Sequence, residues 1–116
     1  MNVTRAICIC ALIGAWATPV LADPISPQEA AAHVGQVVTI EGVVSVYASR
    51  SGVVFVDMGG AGREAPFSAV ILQDRVAAFP AIQAMNGKVV DVTGLIELFK
   101  GKPEIVLKSA DQIRAK

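Results

Sequence analysis

Cysteine occurs twice in this chain of 116 residues, at Cys8 and Cys10, and histidine once, at His33. Tryptophan is confined to Trp16, and the charges balance at ten basic against ten acidic residues. The longest apolar stretch, Ala6 to Trp16, falls well short of the roughly 20 residues a helical membrane span needs. Each shortage excludes something. A histidine–acid partnership for a nucleophilic serine is not evident around a single histidine. A neutral chain does not attract polyanions through net charge.

The cysteines are lost to function for a further reason. The leading segment "MNVTRAICICALIGAWATPVLA" puts one basic residue, Arg5, before the apolar run and closes on Val20-Leu21-Ala22. That is the layout of a secretory signal peptide cut after Ala22. Cys10 makes a poor lipid acceptor, because the bulky Ile9 precedes it and the apolar run continues beyond it. Cleavage leaves residues 23–116 as one small domain of 94 residues, periplasmic or secreted, with no stable membrane insertion. Both cysteines, Trp16 and Arg5 leave with the signal, so nine basic residues face ten acidic ones. Neither a disulfide framework nor a thiolate metal site is then available. Stability has to come from a packed apolar core, which a domain of this size can build.

Within that domain, Ser26-Pro27-Gln28-Glu29 is a helix start, with a capping serine, proline at the first helical position and a glutamate placed to reach back. The helix is expected to reach His33 and stop at Gly35. From Val37 the pattern is β. "VVTIEGVVSVY" (37–47) and "VVDVTGLIELF" (89–99) share one design, with Gly42 and Gly94 in matching mid-strand places. An interior glycine weakens a strand unless a bend or bulge needs it, so both strands are expected to bend there. Shorter strands are expected at 53–58, 67–72 and 104–109. Between the third and fourth strands, Asp74 is a candidate N-cap for a helix over Arg75–Phe79, and Asn86-Gly87 is a turn signal.

Five strands with one helix between the third and fourth, behind a short leading helix, form the signature of an all-β, five-stranded OB-fold Greek-key barrel. From about Ser26 to Ile113 the chain also resembles small secreted bacterial OB-fold proteins grouped with nucleic-acid-binding, tRNA-anticodon-type OB domains. The residues carrying the likeness are "VVTIEGVVSVY", "SRSGVVFVDMGG" and "VTGLIELFKGKPEIVLKSADQI". In the anticodon-binding domains of class II aminoacyl-tRNA synthetases, an arginine before a glycine turn and a strand phenylalanine serve the RNA. The resemblance implies those roles for Arg50 and Phe55. The chain is expected to depart from that family, since these 116 residues carry no synthetase catalytic domain. It also offers Phe67, Ser68 and Ala69 on strand three, where those domains often place a polar base-reading side chain.

Strand alternation carries the same expectation. In "VVFVDM", Val54, Val56 and Met58 should face the core, leaving Val53, Phe55 and Asp57 on the other face. An outer-face aromatic beside basic loops is how single-strand binders stack bases. Arg50, Lys100 and Lys102 fall in the loops that frame ligands in this fold, and Tyr47 and Phe99 can extend the platform. The bland alternative has Phe55 packed under the leading helix. Asp57 would repel phosphate if unpaired. It can pair with Arg50 or Arg63, bond a base edge, or stabilise a turn.

"MGGAGREAP" (58–66) lacks the Gly-Lys-Ser/Thr ending of a phosphate loop and opens no helix, so it reads as a connector. No metal site, cofactor or catalytic residue is expected. The reading is an exported, non-enzymatic OB module that binds single-stranded DNA or RNA through Arg50, Phe55, Asp57, Tyr47, Phe99, Lys100 and Lys102. A periplasmic module gripping an envelope protein or glycan with the same face is the alternative.

Overall fold

The computed structural model describes residues 23–116, and the signal-peptide expectation for residues 1–22 lies outside them. The chain forms β1 (Val37–Ala48), β2 (Val54–Met58), β3 (Phe67–Ile71), β4 (Val89–Leu95), β5 (Glu97–Phe99), β6 (Lys102–Val106) and β7 (Ile113–Ala115). These make one seven-stranded sheet in the order β5-β6-β3-β2-β1-β4-β7. All pairings are antiparallel except β3 with β6, so the sheet is mixed.

The apolar alternation within the strands builds the core. Val54, Val56 and Met58 of β2 are buried, as are Phe67, Ala69 and Ile71 of β3 and Val90 and Val92 of β4. Ile40 and Val44 of β1 and Ile105 of β6 complete its centre. The face assignment expected for Val54, Val56 and Met58 therefore holds.

Five strands become seven for two reasons. The long 89–99 segment is interrupted at Ile96, whose side chain is fully buried and whose backbone turns to other partners. Its N–H donates to the Gln36 carbonyl at 3.0 Å, and its carbonyl accepts from the Gly35 N–H at 2.8 Å. The C-terminal residues add β7, which pairs with β4. The fifth expected strand also begins earlier, at Lys102, and ends at Val106. Among the described residues no ladder joins the two edges of the sheet, so a hydrogen-bonded closed barrel is not observed. The chain itself makes the link: β4 pairs with β1 at one end of the sheet, crosses Ile96, and continues as β5 against β6 at the other.

Both mid-strand glycines sit where the packing leaves no room for a Cβ. β1 pairs with β4 through Val43 and with β2 from Val44, so Gly42 lies just before the handover. A Cβ on Gly42 would lie 2.9 Å from Pro27 Cγ, and one on Gly94 would lie 2.6 Å from Ile105 Cγ2. At Gly94 the sheet's two ends meet.

The two expected helices are 3-10 segments. Pro27–His33 follows Ser26, whose N–H and hydroxyl both donate to Glu29 Oε1, at 2.8 and 3.1 Å. The Ser26 N–H, then its hydroxyl, hold the Glu29 carboxyl below its ordinary value. Ile25 is tied to β1 by bonds to Thr39 and Glu41, which fixes this segment over Gly42 and Gly59. The second helix is replaced by Gln73–Ala78 and Ile82–Met85, on either side of Pro80. Asp74 does not cap: the N-cap position is Leu72, with no side-chain cap bond. Asn86-Gly87 is a turn as expected, with Gly87 at φ 84° and Asn86 Oδ1 accepting from the Val46 N–H.

At the β7 edge, Glu41 and Asp91 lie directly opposite each other, a destabilising like-charge pair. Lys116 Nζ sits between them, 3.4 Å from Glu41 and 3.6 Å from Asp91, and its own pKa is raised by these carboxylates, Glu41 first.

The contact at Gly94 makes a direct prediction. Gly94→Ala drives a methyl into Ile105 across the junction of the two sheet ends, an overpacking of about 1–3 kcal/mol. Urea unfolding should show a lower midpoint with an unchanged slope. An unchanged midpoint would mean that the junction yields freely.

Candidate nucleic-acid interface

The outer face of the sheet carries two neighbouring cross-strand rows. Tyr47, Phe55, Val70 and Val106 are successive partners across β1, β2, β3 and β6. Two residues along, Asp57, Ser68 and Glu104 are partners across β2, β3 and β6. Direct partners share a face, so an aromatic row lies beside a polar one.

The turn after β5 raises a third wall. Phe99 and Lys102 are partners, joined by the two-residue turn Lys100-Gly101, with φ 54° and 82°. Two central residues at positive φ define a type I′ turn, whose twist suits a tight hairpin. Lysine is an unusual occupant of its first position. The left-handed region costs a non-glycine residue about 1–2 kcal/mol. The turn sets the Lys100 ammonium 5.4 Å from the Phe99 ring centroid, a cation–π distance.

These elements enclose a cleft of about 580 Å³, lined by Tyr47, Phe55, Asp57, Gly62, Arg63, Ser68, Phe99, Lys100, Lys102 and Glu104. Tyr47 and Phe55 stack with ring centroids 6.4 Å apart at 24°. Tyr47 and Phe99 are each more than half exposed, and Phe55 is half-buried on the cleft face of β2. None of the lining residues comes from Pro27–His33, so the leading segment does not cover Phe55.

Six of the seven residues singled out in the sequence meet in this cleft; Arg50 does not. It is exposed on the Ser49–Gly52 turn, which closes through the Gly52 N–H to the Ser49 carbonyl at 3.0 Å. Asp57 is in the cleft but is not an open carboxylate. It is 5% exposed, Oδ1 accepts from Ser68 Oγ at 2.5 Å, and Oδ2 accepts from the Gly62 N–H at 2.8 Å. The pairing with Arg50 or Arg63 envisaged from the sequence does not form; the buried carboxylate bonds Ser68 and the Gly62 turn instead, the turn-stabilising role also considered for it.

Four further residues line the cleft, Gly62, Arg63, Ser68 and Glu104. Glu104 shares a face with Lys102, two residues away on β6, and alternation could have found it. Arg63 lies in the 3-10 turn Gly62–Glu64, and no sequence signal marks that turn as a cleft wall. Burial, the largest effect, raises the Glu104 pKa; Lys102 opposes this and the Asp57 charge adds to it.

The cleft therefore offers aromatic walls, cations at its mouth and acceptors on its floor. A flat ring can stack on Tyr47, Phe55 or Phe99. Glu104 can accept from N–H donors.

No protein-family model and no curated protein matches the sequence. Solved structures do. One is a chain described as an aspartyl-tRNA synthetase from Leishmania major Friedlin, with TM-score 0.51 and 15% identity, over 80% of this chain and 20% of that one. Another is the aspartyl tRNA synthetase from Entamoeba histolytica, with TM-score 0.55 and 16% identity, over 84% of this chain and 22% of that one. The fold is thus mostly β, a seven-stranded mixed sheet with 3-10 turns, and it matches an OB-type domain. The chain spans about a fifth of the length of these synthetases.

The raised Glu104 pKa has a defined consequence. The folded state holds its proton to higher pH than the unfolded state does. Stability is therefore lost as pH rises from the unfolded value, about 4.3, through the folded one. Glu104→Gln should be more stable than the parent at neutral pH, with that advantage disappearing at pH values below the ordinary glutamate range. Parallel thermal unfolding curves across pH check this, and an advantage that persists in acid would contradict it.

Proposed function

We propose that this chain is a non-enzymatic OB-type module that binds single-stranded nucleic acid in the aromatic cleft. The observation carrying this reading is the convergence of Tyr47, Phe55 and Phe99 on one cleft whose mouth holds Arg63, Lys100 and Lys102. Bases stack on aromatic faces while cations follow the phosphates, which is the division of labour in single-strand binders. The fold likeness to aspartyl-tRNA synthetases, enzymes whose name includes an RNA substrate, supports the same reading.

The charge pattern shapes how such binding would behave. Glu104 on the floor keeps phosphate out and accepts amino or imino donors of a base edge. Phosphates are left to the mouth, where three cations give a modest electrostatic share. For single strands, three neutralised phosphates correspond to a salt slope of about −2. The envelope-protein or glycan alternative uses the same aromatic walls and differs in being salt-tolerant.

We further propose export. Arg5, the Ala6–Trp16 run and the Val20-Leu21-Ala22 ending support it. Mass spectrometry of the exported protein should find Asp23 at its N-terminus; an intact leading segment would contradict the reading.

Fluorescence titration with short single-stranded oligonucleotides at several salt concentrations tests the binding. Binding should weaken with salt, and Phe55→Ala should cost about 1–3 kcal/mol per stacked base. No binding at low salt with excess protein would overturn the reading, and salt-independent capture of a glycan would favour the alternative.

A further inference from the structure

A buried carboxylate in a cleft read as a phosphate-tracking site is an anomaly, and its bonding offers an explanation. Asp57 spends Oδ1 on Ser68 Oγ and Oδ2 on the Gly62 N–H. Gly62 is held from its other side as well, its carbonyl accepting from Lys102 Nζ at 3.1 Å and from the Ala65 N–H at 3.1 Å. This peptide belongs to a connector rich in unusual conformations, with Gly59 at φ 84°, Gly60 at 159° and Gly62 at 62°. Glycine-rich backbone of this kind has much freedom to lose on ordering. Here it is fastened at one point, and the next residue is Arg63.

Arg63 is exposed and lines the cleft. Among the described residues the ion pairs are those of Lys116 with Glu41 and Asp91, so no carboxylate neutralises the Arg63 guanidinium. An arginine fork can grip a phosphate bidentately, and holding it in place beforehand lowers the ordering cost of binding.

We propose that Arg63 is a phosphate-contacting residue of the cleft and that Asp57 is its positioning residue, acting through the Gly62 peptide. The inference rests on the nucleic-acid reading above. It assigns Asp57 no direct contact with the ligand, and it explains why a negative charge is kept beside a site for polyanions. Asp57 serves as a double acceptor, and the arginine it places outweighs the repulsion it brings.

The sign of one substitution separates this account from simple electrostatics. If Asp57 only repels phosphate, Asp57→Asn strengthens binding. If it positions Arg63, Asp57→Asn weakens binding, because an amide presents one acceptor where the carboxylate presents two. The test is a titration of the full chain with a fluorescein-labelled, mixed-sequence single-stranded RNA of about 12 nucleotides, within the usual range of OB site sizes. Arg63→Gln should weaken binding and make the plot of log K against log salt shallower by about 0.7, the share of one phosphate contact. Asp57→Asn should lose the same increment, and the double variant should lose no more than either single one. Ser68→Ala, which loosens Asp57 without changing charge, should move affinity the same way and covers the case in which Asp57→Asn does not fold.

Tighter binding by Asp57→Asn, or additive losses in the double variant, would overturn the inference and leave the nucleic-acid reading intact. A parent protein that binds no oligonucleotide would overturn both. Amide hydrogen exchange at Gly62 reads the latch without a ligand: it should be slow in the parent and fast in Asp57→Asn. Rapid exchange in the parent would also overturn the inference.

Discussion

The structure depends on the approach of two chain segments at Gly94. There the strand that begins beside β1 passes within reach of β6, and only a residue without a side chain fits under Ile105. One residue further than Leu95, Ile96 leaves one set of partners, bonds Gly35 and Gln36, and releases β5 to the other edge of the sheet. A single strand thereby serves both ends of one sheet. The core between them includes Ile40, Met58, Phe67 and Ile105, all fully buried.

That crossing also creates the cleft. β5 hangs on β6 through three residue pairs and ends in the Lys100-Gly101 turn, which sets Phe99 against the face built by Tyr47 and Phe55. The walls thus come from strands that are not neighbours, β1 and β2 in the middle of the sheet order and β5 at one edge, and the crossing of strand 89–99 at Ile96 is what carries β5 to that edge. Below them, Asp57, Ser68 and Glu104 form one cross-strand row, so the polarity of the floor follows from register alone.

Much of this was legible in the residues. β-branched alternation located β1 to β4, and the glycine echo at 42 and 94, from which bends are expected, falls where Pro27 and Ile105 leave no room for a side chain. The outward face of "VVFVDM" and the aromatic ends of both long strands pointed to the cleft. Other features were not legible because they depend on distant partners. The break at Ile96 is made by bonds to residues 35 and 36, and the pattern across 89–99 reads as unbroken. β7 has only three residues and exists because β4 offers it an edge. Two helices became 3-10 segments, the second pair set on either side of Pro80. Arg50 is expected both from the resemblance and from its place in a ligand-framing loop, yet it does not line the cleft. Asp57 could be placed on the right strand and face, but its donors, Ser68 and the Gly62 amide, come from separate elements.

The central claim is that the Tyr47–Phe55–Phe99 cleft, and no other surface, receives the ligand. Amide chemical-shift mapping by NMR during titration with single-stranded RNA tests it most directly. The account predicts saturable shifts at Phe55, Phe99, Lys102 and Glu104, with residues around Pro27 and Gly42 undisturbed. Shifts gathered around Pro27 and Gly42, or none anywhere at saturating RNA, would contradict it.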